Sequence, residues 1–199
     1  MRPTETVRRG YDVLAPRYHA QRDLGGHQRE LEDFVGRLAP GHRLLDAGCG
    51  SGKVAAYLLR RRMAVIGIDI SAGMLSLAAR VAPRAELRRM DMRRLRFPKA
   101  SFDALVCLYA IIHVPRRDHA RVLQGFRRVL RRRGLLLIAM GRDGLAHDWG
   151  DFLGTPMYWS HFDAARNREL LEEAGFSVLW SRLVGPRGDR HLWALARAP

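Results

Sequence analysis

LLDAGCGSGK, which runs from Leu44 to Lys53, joins a short apolar run to a glycine-rich turn. In α/β proteins a turn of this kind connects a buried strand to the next helix, and its backbone N–H groups approach a bound nucleotide. Several nucleotide-dependent chemistries use such turns. The spacing of the glycines therefore decides which fold and which chemistry the chain carries.

Two common nucleotide-binding motifs fit this turn poorly. A P-loop, G-x-x-x-x-G-K-[ST], needs a glycine where Ala47 stands and a hydroxyl residue where Val54 stands. The dinucleotide fingerprint G-x-G-x-x-G matches at Gly48 and Gly50 but has Lys53 in place of its third glycine. The spacing argues against a P-loop and disfavours a dinucleotide-binding enzyme that transfers hydride.

Buried strands alternate with amphipathic helices along the chain. AVIGID at 64–69, FDALVCLY at 102–109 and GLLLIAM at 134–140 are apolar on both faces, as strands are in a parallel sheet covered by helices. Between the last two, apolar residues recur at helical spacing at Val122, Leu123, Phe126, Val129 and Leu130. This alternation predicts an α/β fold with a doubly wound sheet.

The end of the chain departs from the alternation. FSVLWSRLV at 176–184 and RHLWALAR at 190–197 flank the turn residues GPRGD with no helix between them, which predicts an antiparallel hairpin. Before this hairpin, Met157, Tyr158, Trp159 and His161 are predicted to lie outside a regular element. Asp163 is predicted to cap the helix that follows.

The composition gives a strongly basic chain. Its formal charge is +15, and all but two of the 35 basic residues are arginine, Lys53 and Lys99 being the exceptions. This charge favours an acidic or polyanionic partner, or it belongs to a solvated surface. The start of the sequence has no apolar signal segment and no run reaches the roughly 20 residues of a membrane span, so we expect a cytoplasmic protein without membrane contact. Cys49 and Cys107 are expected to be buried thiols, with no disulfide and no metal site.

The motif D-x-G-x-G-x-G at Asp46, Gly48, Gly50 and Gly52 resembles the first motif of the class I S-adenosylmethionine-dependent methyltransferases of small-molecule type. The likeness continues at Asp69, which ends the next strand 23 residues after Asp46, and at MDM, residues 90–92, after the third strand. It extends from about Tyr11 to the C-terminus. A carboxylate at Asp69 also suits NAD, so this residue alone does not discriminate.

The resemblance implies the fold in more detail. It implies a Rossmann-like sheet of seven strands in the order 3-2-1-4-5-7-6, with the last strand antiparallel between its neighbours and N-terminal helices forming a lid. The chain is then a single methyltransferase domain, 1–199. The lid would be 1–40, the cofactor-binding core 41–141, and the substrate-side segment with its helix and hairpin 142–199.

The resemblance also implies S-adenosyl-L-methionine as cofactor, with S-adenosyl-L-homocysteine as product. Asp46 would help to hold the methionine amino group, Asp69 the ribose hydroxyls and Asp91 the exocyclic amine of adenine. The expected cofactor-binding residues are Asp46, Gly48, Gly50, Gly52, Asp69, Ile70, Met74, Asp91, Met92 and Leu108.

His113 follows the fourth strand, at the edge of the sheet where ligands of open α/β folds bind. Histidine exchanges protons near neutral pH, so His113 is either a general base or a packed residue beneath its loop. Phosphoethanolamine methyltransferases carry a catalytic histidine in a similar segment, with a tyrosine from the N-terminal region as its partner. By that resemblance Tyr18 and Tyr11 are the candidate partners here. Tyr158 and His161 are predicted to bind the substrate.

The predicted function is methyl transfer to oxygen, nitrogen or carbon of a small-molecule acceptor by in-line displacement. One alternative is an RNA methyltransferase, which the charge favours. However, CLYA at 107–110 stands where enzymes that methylate base amines usually carry [DNS]-P-P-[YFW]. Another is a non-catalytic, cofactor-binding regulator that binds nucleic acid. We expect a monomer or a weak dimer.

Overall fold

The computed structural model describes residues 2–21, 25–186 and 190–199. The helices are α1 Pro3–Gln21, α2 Gln28–Val35, α3 Lys53–Arg60, α4 Ala72–Val81, α5 His119–Val129 and α6 Ala164–Glu173. The strands are β1 Arg43–Ala47, β2 Ala64–Asp69, β3 Glu86–Arg89, β4 Phe102–Cys107, β5 Leu130–Met140, β6 Leu145–Phe152, β7 Thr155–His161, β8 Ser177–Val184 and β9 His191–Arg197. None of the helices in these ranges is long and apolar enough to cross a membrane.

The main sheet has seven strands in the order β3-β2-β1-β4-β5-β9-β8. Strands β1 to β5 are parallel, and β9 lies antiparallel between β5 and β8. The predicted doubly wound sheet and its C-terminal hairpin are confirmed. The turn predicted between β8 and β9 includes residues 187–189, which lie outside the described ranges.

The sheet is buried on both faces, which is why its strands are apolar without alternation. On one face Leu105 and Cys107 of β4 share a core with Phe126 of α5. On the other face Ala104 and Val106 share a core with α2. Consecutive residues of β4 thus belong to different cores. Cys49 and Cys107, which were predicted to be buried thiols, are both buried.

Met157, Tyr158, Trp159 and His161 lie in a strand, so the prediction that they are outside a regular element is wrong. They belong to a separate antiparallel ribbon of β6 and β7. Leu153 and Gly154 form its tight turn with φ of 55° and 81°, the backbone that two-residue hairpin turns require. Strand β6 is mostly exposed and polar, so it lacks the apolar alternation that indicates a strand. The predicted cap of α6 is confirmed, because Asp163 Oδ1 accepts a hydrogen bond from Arg166 N at 2.9 Å.

Candidate functional site

A cavity lies at the carboxyl ends of the parallel strands, and α1 forms one of its walls. Its lining residues are Thr4, Val7, Tyr11, Tyr18, Gly48, Gly50, Ile68, Asp69, Ile70, Met74, Met90, Asp91, Met92, Arg93, Leu108, Tyr109, Ala110, His113 and Val114. Eleven of the residues predicted from the sequence are therefore together in one place. Within the described part of the chain, Asp46, Gly52, Tyr158 and His161 do not line it.

The three glycines of the turn differ in what an added side chain would contact. All have positive φ, which glycine adopts without strain. A Cβ on Gly50 would have no heavy atom within 4 Å, so the cavity is open at that point. A Cβ on Gly48 would lie 2.3 Å from Ala110 Cβ. A Cβ on Gly52 would lie 2.9 Å from Ala78 Cα, so Gly52 allows α3 and α4 to pack and does not face the cavity.

Asp69 presents its carboxylate to the cavity from the end of β2. Its Oδ2 accepts a hydrogen bond from Gly50 N and its Oδ1 one from Ser71 N, each at 2.9 Å. Burial raises its pKa, although these backbone donors oppose the shift. A carboxylate can accept about four hydrogen bonds, so capacity for ligand hydroxyls remains. The residue that caps α4 is Ser71, whose Oγ accepts from Met74 N at 3.1 Å.

Asp46 lies behind the glycine turn and is only 2% exposed. Burial and the neighbouring charge of Asp69 raise its pKa to about 8. Its Oδ2 has no hydrogen-bond partner among the described residues. This buried carboxyl is therefore costly to ionise in the folded protein.

Asp91, which also lines the cavity, is held by an arginine that the sequence analysis did not single out. The guanidinium of Arg93 donates to Asp91 Oδ2 at 2.6 Å, and its other end lies 3.4 Å from Asp118 Oδ2. Burial acts to raise the pKa of Asp91, but the contact with Arg93 outweighs it and the pKa is lowered. Arg93 lines the cavity itself, so it is a candidate ligand contact.

His113 and Tyr11 are hydrogen-bonded across the cavity. Tyr11 Oη lies 2.8 Å from His113 Nε2, and His113 Nδ1 lies 2.8 Å from the carbonyl oxygen of Tyr158. A carbonyl only accepts, so Nδ1 carries the hydrogen and, in the neutral ring, Nε2 accepts from the Tyr11 hydroxyl. The contact fixes both the tautomer and the ring orientation of His113.

Of the two candidate tyrosines, Tyr11 is the one whose hydroxyl reaches His113. Tyr18 lines the cavity beside it, with its ring edge-to-face against Tyr11 at 5.5 Å between centroids. Tyr158 contributes its main-chain carbonyl, and its side chain packs against Trp149 outside the cavity. His161 packs against Gly141, where a Cβ would lie 2.1 Å from its Nδ1. The side chains of Tyr158 and His161 do not line this cavity, and their role in binding the substrate stays a prediction.

Tyr109 is a cavity residue that sequence reasoning missed. It follows β4 and has a φ of 58°, unusual for a residue with a bulky side chain. Its hydroxyl accepts from Trp193 Nε1 at 3.2 Å and lies 2.9 Å from His27 Nε2. The only signal in the sequence was its position just after a strand of the parallel sheet.

Comparison with known proteins agrees with this geometry. Residues 44–134 match a protein family described as a methyltransferase domain. A probable S-adenosylmethionine-dependent methyltransferase of Mycolicibacterium smegmatis is 31% identical over 152 residues, 76% of this chain and 58% of that protein. The phosphatidylethanolamine N-methyltransferase of Cereibacter sphaeroides is 38% identical over 106 residues, 50% of this chain and 51% of that protein.

The chain contains a class I S-adenosylmethionine-dependent methyltransferase domain at residues 44–134. It spans between 51% and 58% of the length of the two relatives named above. The crystal structure of magnesium protoporphyrin IX methyltransferase from Synechocystis, with bound S-adenosylmethionine, shares its fold. The TM-score is 0.78 at 20% identity, covering 100% of this chain and 98% of the other.

The cavity of this chain fits the cofactor of the class I S-adenosylmethionine-dependent methyltransferases. Gly50 leaves open space beside a backbone N–H, and Asp69 provides acceptors for paired hydroxyls. Met74 and Met92 supply apolar surface in the cavity that Asp91 also lines, as an adenine ring requires. These groups therefore suit an adenosine whose base lies between apolar side chains and whose ribose hydroxyls donate hydrogen bonds to a carboxylate.

Proposed function

We propose that this chain transfers a methyl group from S-adenosylmethionine to a small-molecule acceptor, whose proton is taken by Tyr11 and His113. The observation that supports this most is the 2.8 Å contact between Tyr11 Oη and His113 Nε2, in the same cavity as Gly50 and Asp69. A cofactor site and a group able to accept a proton thus share one space.

The cofactor supplies an activated methyl group on a sulfonium, so the protein's main tasks are alignment and exclusion of water. Gly50 and Asp69 would hold the ribose side. Met74, Met92 and Asp91 would hold the adenine. Asp46 would assist at the methionine end through the turn, since its side chain lies behind Gly48 and Gly50.

The hydrogen-bond directions define a path for the acceptor's proton. The acceptor's nucleophile would give its proton to Tyr11 Oη as the Tyr11 hydroxyl proton moves to His113 Nε2. The resulting imidazolium keeps its Nδ1–H bond to the carbonyl of Tyr158, which stabilises the charge. An acceptor that loses its proton without a base needs no such path. For such an acceptor, Tyr11 and His113 would only align the nucleophile with the methyl group.

The surroundings favour a small acceptor with apolar or aromatic surface. The ring of Tyr11 contacts Tyr18, Phe152 and His113 edge-to-face, and Trp159 packs against Phe152 and His113. Similarity leaves the acceptor open, because the relatives' names include phosphatidylethanolamine and magnesium protoporphyrin IX.

A second candidate is RNA methylation, and one feature favours it. A groove beside the cavity, which shares Asp91 and Arg93 with it, is lined by the five arginines Arg89, Arg93, Arg94, Arg96 and Arg121. Its carboxylates, Asp91 and Asp118, both contact Arg93, so the groove keeps an excess of positive charge. Phosphate groups bind such surfaces in a salt-dependent manner.

Labelled S-adenosylmethionine distinguishes these functions. The protein is incubated with the small-molecule, RNA and protein fractions of a cell extract, and the label is followed into each. We expect it in the small-molecule fraction, whereas label confined to RNA would replace our proposal with the second candidate. Label in no fraction would favour a cofactor-binding regulator.

The proton path is tested on the acceptor so found. His113→Ala is expected to lower turnover about 10²–10⁴-fold, the usual contribution of a general base, with cofactor affinity nearly unchanged. Tyr11→Phe should lower turnover less. Tyr57→Phe, a remote tyrosine on α3, is the control and should leave turnover unchanged. Full turnover in His113→Ala would limit the protein's role to alignment.

A further inference from the structure

Asp12 of α1 connects this helix to the start of α4. Its Oδ1 accepts hydrogen bonds from Ser71 Oγ at 2.7 Å and from Gly73 N at 3.0 Å. Its Oδ2 accepts from Arg8 at 2.7 Å, which keeps the carboxylate oriented from within α1. The N-terminal helix is therefore fastened to the core by a charged hydrogen-bonding group, in addition to its apolar contacts.

Ser71 also contacts Asp69, the residue proposed to bind the ribose. Ser71 N donates to Asp69 Oδ1 at 2.9 Å, while Ser71 Oγ donates to Asp12. One residue before Asp12, Tyr11 reaches His113 at 2.8 Å. A continuous series of contacts thus runs from the ribose end of the cavity, through Ser71, to the helix that carries Tyr11.

Gly73 allows this close contact between α1 and α4. A Cβ at position 73 would lie 2.8 Å from the carbonyl oxygen of Asp12 and 3.1 Å from its Cα. The backbone of Gly73 does not have the positive φ that would itself require glycine. Alanine is the better helix former, so glycine is needed here for the approach of α1.

Helix α1 also forms one wall of the cavity. Thr4, Val7, Tyr11 and Tyr18 all line it, and all four belong to this helix. A movement of α1 would therefore change the access of a ligand to the cavity. Opening α1 breaks the contacts of Asp12 and separates Tyr11 from His113.

We propose that Asp12 is a positioning residue that couples occupancy of the ribose site to closure of α1, and so to assembly of the Tyr11–His113 pair. The inference rests on the proposed cofactor site. A ligand that orders Asp69 also orders Ser71, and Ser71 then holds Asp12 and α1 in place. Cofactor binding would thereby favour the arrangement in which the acceptor site is complete.

Hydrogen exchange with and without S-adenosylhomocysteine tests the coupling without any acceptor. In the parent, the ligand should slow exchange both in the turn at 48–52 and throughout α1. In Asp12→Ala, the turn should still be protected, while the protection of α1 falls by about tenfold or more, as local opening becomes easier. Asp12→Asn keeps an oxygen that accepts from Ser71 and Gly73 and should retain most of the protection.

Gly73→Ala tests the same contact from the core side. It should loosen α1 as Asp12→Ala does, although it favours helix formation in α4. Gly125→Ala is the matched control, since that glycine lies in α5 and a Cβ there would come no closer than 4.0 Å to the nearest atom.

Each outcome separates the coupling from the cofactor site. Protection of α1 that is unchanged in both Asp12→Ala and Gly73→Ala would overturn the coupling. So would a parent in which the ligand protects the turn at 48–52 but not α1. A parent in which the ligand slows exchange nowhere would overturn the cofactor site, and the coupling with it.

Discussion

Replacing Asp46 by asparagine should stabilise the folded protein, and the gain should grow as the pH rises. Asp46 is buried beneath the glycine turn, where burial and the charge of Asp69 raise its pKa from 3.8 to about 8. Between these two values the folded protein holds a proton that the unfolded chain has released. The parent therefore loses stability as the pH rises from about 4 to about 8, and a neutral asparagine does not.

The size of the effect follows from the linkage between protonation and folding. The stability difference between Asp46→Asn and the parent grows by about 1.4 kcal/mol for each pH unit in this window. Between about pH 5.5 and about pH 7.5 it should grow by about 2–3 kcal/mol. In a chain of this length that corresponds to about 5–10 °C in the difference of melting temperature.

Urea unfolding of both proteins at these two pH values measures the difference. Asp103→Asn is the control. Burial acts to raise the pKa of Asp103, but its contacts with Arg43 N and Arg131 outweigh this and lower it. Its stabilising contribution is then lost only at lower pH, so Asp103→Asn should be less stable than the parent by a constant amount across the window. An Asp46→Asn difference that is equal at both pH values would refute the reasoning, because Asp46 would then be ionised in the folded protein.

Three further outcomes concern the cavity. Gly50→Ala should lower the free energy of unfolding by about 1–2 kcal/mol, because residue 50 has a left-handed backbone. It should also lower the affinity for S-adenosylhomocysteine, measured by calorimetry, at least about tenfold, because the added Cβ enters the cavity. Equal affinity in the folded variant would contradict this. Gly52→Ala should lower the melting temperature more than Gly50→Ala does and lower the affinity less, since its Cβ would contact Ala78. Asp69→Ala should weaken binding by about 1.5–3 kcal/mol, the worth of hydrogen bonds to a charged group, and Asp91→Ala should weaken it less; the opposite order would mean that the ribose does not lie at Asp69.

Local sequence patterns predicted most of the fold because they report burial directly. Runs apolar on both faces identified the central strands, and the motif at Asp46 to Gly52 located the turn at the edge of the sheet. The ribbon of β6 and β7 escaped prediction. Its outer strand is exposed and polar, and it is held by the turn at Leu153 and Gly154 and by pairing with β7.

The sequence by itself determined which residues belong at the carboxyl edge of the sheet, because the spacing between motifs follows from the lengths of strands and helices. Only the tertiary structure decided how those residues meet. Tyr11 and His113 are 102 positions apart, and no local pattern fixes which tyrosine of α1 faces the histidine. That choice depends on how α1 packs against α4, where Asp12 contacts Ser71 and Gly73, about 60 positions away in the chain.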